Sequence, residues 1–143
     1  SLWIAWEADS ALVPVWNNGP SAEIITRDFV QPLTSGIVSW VYLTEQPFIE
    51  NALEENPRKD KTLDARVGKS TEAMLAVPLH FAGACRGVAS AVRVRREPSE
   101  QRPETKPSRL DFNASDLQRF YRQIAVAAQL IERRLLRHVV GWE

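Results

Sequence analysis

Aromatic and β-branched positions near the start of the chain predict a pair of strands. Residues 2–7 and 12–16 have this composition and are separated by turn-forming residues, so they predict an antiparallel hairpin. Pro14 cannot donate a hydrogen bond to a neighbouring strand, which places the second strand at a sheet edge or beside a bulge. Residues 23–30 predict a further short strand.

The middle of the chain predicts a second hairpin. Residues 73–81 and 87–94 are mainly apolar, and the glycine-led stretch 83–86 between them predicts the turn. The small side chains at 89–91 leave space above the sheet, as is typical where a helix or a ligand approaches closely.

Between the two hairpins the pattern changes to that of short helices and loops. Residues 36–43 predict a helix with Ser35 as its N-cap. One helical face is formed by Ile37, Trp40 and Val41. Residues 48–50 predict a short extended piece, and the polar stretch 51–72 predicts irregular structure with a helical turn near Leu63.

The most regular periodicity predicts a long C-terminal helix over 113–139. Asn113 as the N-cap and Asp116 at the third helical position form a capping-box pattern. Apolar positions then recur with heptad spacing. The candidate interface residues on this stripe are Leu117, Ile124, Ile131 and Leu135. Flanking apolar positions widen the stripe beyond what one sheet face covers, so we expect a homodimer formed through this helix.

Composition narrows the class of protein. The chain has 143 residues and no compositional break, which predicts a single domain over 1–143. Basic and acidic residues number 18 each, so no overall field favours nucleic acid. No apolar run reaches the ~20 residues of a membrane span, and one cysteine fits a reducing compartment, so we expect a cytoplasmic protein without direct membrane insertion. The proline-rich, charged stretch 96–109 predicts a flexible loop.

Several local motifs, in matching order and spacing, resemble those of the GAF family. The segments are 36–41, 44–49, 64–70, 74–79, 83–92 and 112–117. The most recognisable is 74–79 (MLAVPL), which is similar to the family's L-x-V-P-L strand. Residues 112–117 (FNASDL) are similar to the start of the family's last helix.

The resemblance implies an α+β fold related to PAS domains. It consists of a five- or six-stranded antiparallel sheet with helices on one face and pocket-covering loops on the other. Residues 2–7 and 87–94 are expected to be neighbouring central strands. The family's usual N-terminal helix has no counterpart, because the first predicted strand begins at Leu2.

The resemblance also implies a sensory or regulatory domain that binds a small molecule over the sheet. The expected ligand-binding residues are Trp40, Phe48, Arg66, Met74, Ala76 and Ser90. Arg66 is a candidate clamp for an anionic group. The family's cyclic-nucleotide signature has an asparagine–lysine pair where this chain has Arg93 and Val94, which argues against such a nucleotide as ligand.

Residues with catalytic chemistry are sparse. His80 and His138 are far apart, and no cluster has metal-ligand spacing, so we expect neither a metal nor a cofactor. Cys85 falls in the predicted turn beside Arg86, which would lower its pKa. Some GAF-like enzymes reduce free methionine sulfoxide with several cysteines, and a single cysteine cannot supply both an attacking and a resolving thiol. We therefore expect no enzyme activity.

Two functions remain as the main alternatives. The first is a sensory domain that binds a small molecule and relays that binding to a partner or output domain. The second is a ligand-free dimerisation or interaction module. A cavity between the sheet and the middle segments would favour the first, and a filled core the second.

Overall fold

Six strands form one antiparallel sheet in this computed structural model, which describes residues 1–95 and 111–141. The strands are β1 (Leu2–Trp6), β2 (Ala11–Trp16), β3 (Gln31–Pro32), β4 (Phe48–Glu50), β5 (Thr71–Phe81) and β6 (Ala84–Val94). The helices are α1 (Ala22–Asp28), α2 (Ile37–Thr44), α3 (Thr62–Val67) and α4 (Ala114–Val140). The predicted α+β class is confirmed. The loop predicted over 96–109 lies outside the described residues.

The first and the last strand of the chain lie side by side in the middle of the sheet. The order is β3-β2-β1-β6-β5-β4, and every adjacent pair is antiparallel. Leu2 lies opposite Ala89 and Ile4 opposite Gly87, so β1 and β6 are central neighbours, as predicted.

Pro14 lies at a position where its missing N–H does not interrupt the hydrogen bonding between strands. β3 pairs only with Ala11 and Leu12, so Pro14 lies beyond the end of that neighbour. On the other side, the register between β1 and β2 shifts where Trp3 faces Pro14, which marks a bulge. Both predicted settings for this proline, the edge and the bulge, are therefore present.

The β5–β6 hairpin is confirmed, but its predicted turn over 83–86 is wrong. The turn consists of Ala82 and Gly83, with φ angles of 51° and 76°, because β6 begins at Ala84. A two-residue hairpin turn of this kind requires positive φ at both positions, which matches the right-handed twist of the strands. Cys85 consequently lies in a strand and pairs with His80.

The strand predicted over 23–30 is wrong, because most of this stretch is helix α1. The helix starts with hydrogen bonds from Ala22 N–H to the Gly19 carbonyl and from Ile25 N–H to the Ser21 carbonyl. The β-branched residues disfavour a helix by at most about 0.7 kcal/mol each. Turning one face of α1 toward the sheet outweighs that small preference.

Helix α2 is confirmed, but its predicted cap is wrong. Gly36 is the N-cap, and the Ser35 hydroxyl donates instead to Asp60 at 2.9 Å. The buried positions of α2 are Ile37, Val38, Ser39 and Val41, whereas Trp40 is only half-buried. The Ser39 hydroxyl donates to the Pro32 carbonyl at 2.8 Å and so ties α2 to β3.

The two faces of the sheet have different coverings. Met74 and Ala76 of β5 belong to an apolar cluster that includes residues of α2. Helices α1 and α3 and the connecting segments also cover this face of the sheet. Leu75, Val77 and Leu79 alternate with Met74 and Ala76 and point to the opposite face, where α4 packs along β5. Residues of neighbouring helices thus contact both sides of β5.

Helix α4 is set by the capping box that the sequence predicts. The Asn113 side chain accepts hydrogen bonds from the N–H groups of Ser115 and Asp116, and the Asp116 carboxylate accepts from Asn113 N–H at 3.0 Å. Within residues 1–95 and 111–141, none of the helices has the length and hydropathy needed to span a bilayer.

Candidate functional site

A cavity of about 160 Å³ lies between the sheet and the layer formed by α1, α2 and α3. Its walls are mainly apolar, contributed by Trp3, Ile37, Val38, Leu53, Leu63 and Met74. The exposed lining residues Pro20, Lys69 and Val92 mark its open side. A concave apolar site with a few polar groups is the usual form of a small-molecule site.

The floor of the cavity contains a buried polar pair. Ser90 of β6 is 3% exposed, and its Oγ accepts a hydrogen bond from the Trp3 indole N–H at 3.1 Å. The Trp3 ring in turn contacts Phe29 edge-on, with ring centroids 6.0 Å apart. These contacts fix the indole, and with it the position of the Ser90 oxygen.

One wall is held by a carboxylate that receives four hydrogen bonds. Asp60 Oδ1 accepts from the backbone N–H and the hydroxyl of Thr62, at 2.9 and 2.5 Å. Asp60 Oδ2 accepts from Gln31 Nε2 at 3.1 Å and from the Ser35 hydroxyl at 2.9 Å. The Thr62 bonds, followed by those of Gln31 and Ser35, lower the pKa of Asp60 to about 2. The carboxylate is therefore ionised and saturated with donors at neutral pH.

A second wall is held by a buried lysine. The Lys59 side chain is 5% exposed, and its Nζ lies 2.8 Å from the Asp64 carboxylate and 3.0 Å from that of Glu54. The same ammonium donates to the Thr71 carbonyl at 2.8 Å. Burial opposes the charge, but the hydrogen bonds that the ammonium donates to Asp64 and Glu54 outweigh burial and raise the pKa of Lys59. This contact set joins α3 and the preceding loop to β5.

Comparison with solved structures identifies the architecture. No family model and no curated protein matches the sequence. The GAF domain of an Acinetobacter phosphoenolpyruvate-protein phosphotransferase superposes with a TM-score of 0.63 at 15% identity, over 98% of this chain and 72% of that one. Residues 122 to 287 of a methyl-accepting chemotaxis protein superpose with a TM-score of 0.67 at 20% identity, over 95% of this chain and 79% of that one. The chain has the GAF fold. A free methionine-R-sulfoxide reductase from Neisseria meningitidis, solved with its substrate, superposes with a TM-score of 0.50 at 18% identity, over 64% of this chain and 48% of that one.

Within this GAF fold, the structure brings together only part of the predicted ligand-binding set. Met74 and Ser90 line the cavity. Ala76 is fully buried and pairs with Phe48 on one side and Ser90 on the other. Trp40 lies outside the lining, where it stacks edge-on against Phe48 with centroids 5.9 Å apart.

Arg66 also lies outside the cavity lining. Its guanidinium donates to the Asp28 carbonyl at 2.5 Å and sits 5.8 Å from the centre of the Phe29 ring. These contacts hold α3 against the end of α1. Arg66 therefore connects two helices at the surface, whereas the sequence analysis expected it to bind an anionic group of the ligand.

The sequence analysis missed the polar residues of the cavity wall. Gln31, Lys59, Asp60 and Asp64 all line it. Three of them come from the stretch 51–72, which has the polar composition of a solvated loop. A signal was present in the Asp60–Thr62 spacing, because an aspartate commonly accepts from the backbone N–H two residues later. Nothing in the sequence indicated that Gln31 and Ser35 would meet the same carboxylate.

Cys85 lies on the β5–β6 hairpin, away from the cavity. Burial, ahead of all other causes, raises the pKa of its thiol, so the predicted lowering by Arg86 is wrong. Arg86 instead lies 3.7 Å from the Glu7 carboxylate. Among the residues that the structure describes, no group of histidine, cysteine and carboxylate side chains is arranged to hold a metal.

The predicted interface residues divide into two groups. Leu117, Ile124 and Ile131 are half-buried on the side of α4 that packs on the sheet. Leu135 continues the same stripe but is 43% exposed. From Arg133 to Gly141, every residue is exposed, so the end of α4 extends beyond its packing surface.

Proposed function

We propose that this domain is a sensory or regulatory module that binds a small molecule in the cavity over the sheet. The observation that carries the proposal is the cavity itself, which is apolar, of ligand size and walled by ion-paired and hydrogen-bonded side chains. Small molecules usually bind in concave, mainly apolar sites with a few polar groups, and this cavity has that form.

The proposed relay passes through the sheet to a partner or output domain. Met74 faces the cavity, and the adjacent Leu75 faces α4 on the other side of β5. A change in packing around an occupant would therefore reach α4 through one strand. Two of the similar structures belong to a chemotaxis protein and a phosphotransferase, and a regulatory role in the cytoplasm is consistent with both.

We propose that the domain has no catalytic activity of its own. The chain has one cysteine, and Cys85 is absent from the cavity lining. The reductase that shares the fold acts on methionine sulfoxide. Reducing a sulfoxide with thiols consumes two of them, because the oxygen leaves as water while a disulfide forms. The chain supplies one thiol, which lies outside the cavity, so it provides neither both thiols nor a thiol beside a bound substrate.

The proposal is tested by native mass spectrometry of the protein purified from cells. We expect a retained small molecule in the wild type. Leu63→Trp fills the cavity from α3 and should abolish retention, because Leu63 lines the cavity and is only partly buried. Leu43→Trp is the matched control, since Leu43 is 61% exposed on α2 and is no part of the lining.

Two results would count against ligand binding in this cavity. Retention that survives Leu63→Trp would place the molecule elsewhere. A wild type that retains nothing, and whose melting temperature is unchanged by a small-molecule extract of the same cells, would favour the alternative function.

That alternative is a ligand-free homodimerisation module that uses α4. Its specific support is the run of exposed apolar side chains near the end of the helix. They are Leu130, Leu135, Leu136, Val139 and Val140. Nothing in the balance of 18 basic and 18 acidic residues favours a nucleic-acid partner under either proposal.

A further inference from the structure

We propose that the ligand of the cavity is an uncharged, single-ring molecule that both donates and accepts hydrogen bonds, and that Gln31 and Ser90 select it. This inference rests on the proposed function, because it names the chemistry of the molecule that the cavity binds. It is carried by two buried polar side chains with unused hydrogen-bonding capacity.

Gln31 supplies an unused acceptor. The residue is 4% exposed and lines the cavity. Its Nε2 is surrounded by acceptors, namely the Ser35 carbonyl at 2.9 Å, the Ser35 hydroxyl at 3.3 Å and the Asp60 carboxylate at 3.1 Å. These acceptors fix which end of the amide is the nitrogen. Within the described residues, Oε1 accepts no hydrogen bond, which leaves a carbonyl oxygen for a ligand N–H or O–H.

Ser90 supplies an unused donor. Its Oγ accepts from the Trp3 indole, and an indole N–H can only donate. The Ser90 hydroxyl proton has no acceptor within residues 1–95 and 111–141. Buried polar groups normally satisfy their hydrogen-bonding capacity, so a free donor and a free acceptor on one apolar cavity point to a partner with the complementary groups.

The charges around the cavity disfavour a charged ligand. Lys59 is paired with Asp64 and Glu54, and Asp60 already accepts four hydrogen bonds. Lys69 is exposed at the open side.

The Ser1 ammonium also lines the cavity and donates to the Ser90 carbonyl at 2.8 Å. Burial lowers the pKa of this amine, which reduces the positive charge that it offers an anion near neutral pH. An ion entering the apolar interior would lose its hydration without a fully charged, unengaged partner there, which is unfavourable. An uncharged ligand meets no such penalty.

The size of the cavity sets the scale of the ligand. Its volume of about 160 Å³ is close to that of an engineered apolar cavity of ~150 Å³ that binds benzene in another protein. One ring with a polar substituent therefore fits, and a nucleotide does not.

Four probes of nearly the same shape test this chemistry. Benzamide is uncharged and both donates and accepts, benzoate is an anion, benzamidinium is a cation, and toluene is apolar. Each is titrated into protein labelled with ¹³C at the methionine methyl group. Met74 is the only methionine in the chain and lines the cavity, so a single resonance reports occupancy.

We expect benzamide to bind most tightly of the four. Ser90→Ala should weaken benzamide by about three- to tenfold, the effect of one lost neutral hydrogen bond, and leave toluene unchanged. The unchanged toluene affinity is the readout that separates a lost hydrogen bond from a collapsed cavity. Ser115→Ala, an exposed position on α4, is the matched control and should alter neither affinity.

The outcomes distinguish an error in the inferred ligand chemistry from an error in the proposed function. Tighter binding of benzoate, benzamidinium or toluene than of benzamide would overturn the inferred ligand chemistry and leave the cavity a small-molecule site. An equal loss of benzamide and toluene affinity in Ser90→Ala would overturn the role of Ser90. If no probe shifts the Met74 resonance, this inference fails, whereas the proposed function fails only if the native mass spectrometry and melting-temperature tests also find no bound molecule.

Discussion

Lys59 is a charged residue whose side chain is buried because three acceptors surround its ammonium group. Those acceptors come from Glu54, Asp64 and Thr71, which meet only when α3 and β5 are in place. Sequence composition describes 51–72 as polar and therefore as solvent-facing. The role of these residues was unpredictable at this scale, because it depends on partners that tertiary structure brings together.

At the same scale, Asp60 predicts a pH dependence. Asp60→Asn should destabilise the domain by about 1 kcal/mol at pH 7, because the amide nitrogen cannot accept from Gln31, Ser35 or Thr62. Hydrogen bonds lower the pKa of Asp60 from an ordinary 3.8 to about 2, so its contribution is complete above about pH 4 and is lost as the pH falls through about 2. The figure is kept near 1 kcal/mol because the carboxylate is partly solvated.

Urea unfolding at a series of pH values measures this difference. The gap between wild type and Asp60→Asn should shrink as the pH is lowered from about 4 toward 2. Asp28→Asn, at an exposed aspartate on α1, is the control and should show a small effect at every pH. A gap that stays constant across this range would mean that the carboxylate charge is not what holds the wall.

At the scale of elements, the strands were predictable and one helix was not. Aromatic and β-branched residues identify β1 and β2, and apolar runs whose central residues are buried on both faces identify β5 and β6. Helix α1 was misassigned because its β-branched residues favour a strand locally, and packing of its half-buried side against β2 reversed a preference of a few tenths of a kcal/mol per residue. The predicted helix cap at Ser35 was wrong because its hydroxyl donates to the distant Asp60. The predicted turn over 83–86 was wrong because the residues with positive φ are Ala82 and Gly83.

The pairing of β1 with β6 gives a prediction at this scale. A Cβ at Gly87 would lie 1.9 Å from the Trp3 carbonyl oxygen, which belongs to the backbone of β1 and cannot rotate away. Gly87→Ala should therefore separate the two central strands and destabilise the domain by at least about 3 kcal/mol. The Trp3–Ser90 contact should loosen with it, because both residues flank this pairing.

Gly83→Ala provides the comparison. Its φ of 76° costs about 1–2 kcal/mol in an alanine, but no atom lies within 4 Å of the added methyl group. Chemical denaturation of the two variants should rank Gly87→Ala as clearly the more damaging. Equal losses would mean that backbone strain, and not close strand contact, determines the requirement for glycine in this hairpin.

At the scale of the whole molecule, the sheet separates two differently covered surfaces. One face carries the cavity and its covering helices, and the other carries α4. The motif order was sufficient to predict this architecture and the central pairing of β1 and β6. The positions of Trp40 and Arg66 were not predictable, because each packs against a neighbour outside the cavity: Phe48 for Trp40 and Phe29 for Arg66.

The exposed end of α4 gives the prediction for assembly. The helix has 27 residues and so extends for about 40 Å, and from Arg133 onward its residues are exposed. Leu135 lies on the stripe that upstream residues use against the sheet, and a second copy of α4 in a symmetric dimer would cover it. Leu135→Glu should weaken dimerisation by at least about tenfold, because each copy then fails to bury a leucine.

Sedimentation velocity at micromolar concentrations is the measurement. Val126→Glu is the matched control: Val126 is 57% exposed, and nine residues before Leu135 it lies on the opposite side of the helix. It adds the same charge and should leave the dimer intact. Dissociation by Leu135→Glu alone assigns the interface to the stripe that runs beyond the sheet. A wild type that sediments as a monomer at high concentration would leave the exposed leucines without a second copy, and equal dissociation by both variants would move the interface away from this side of α4.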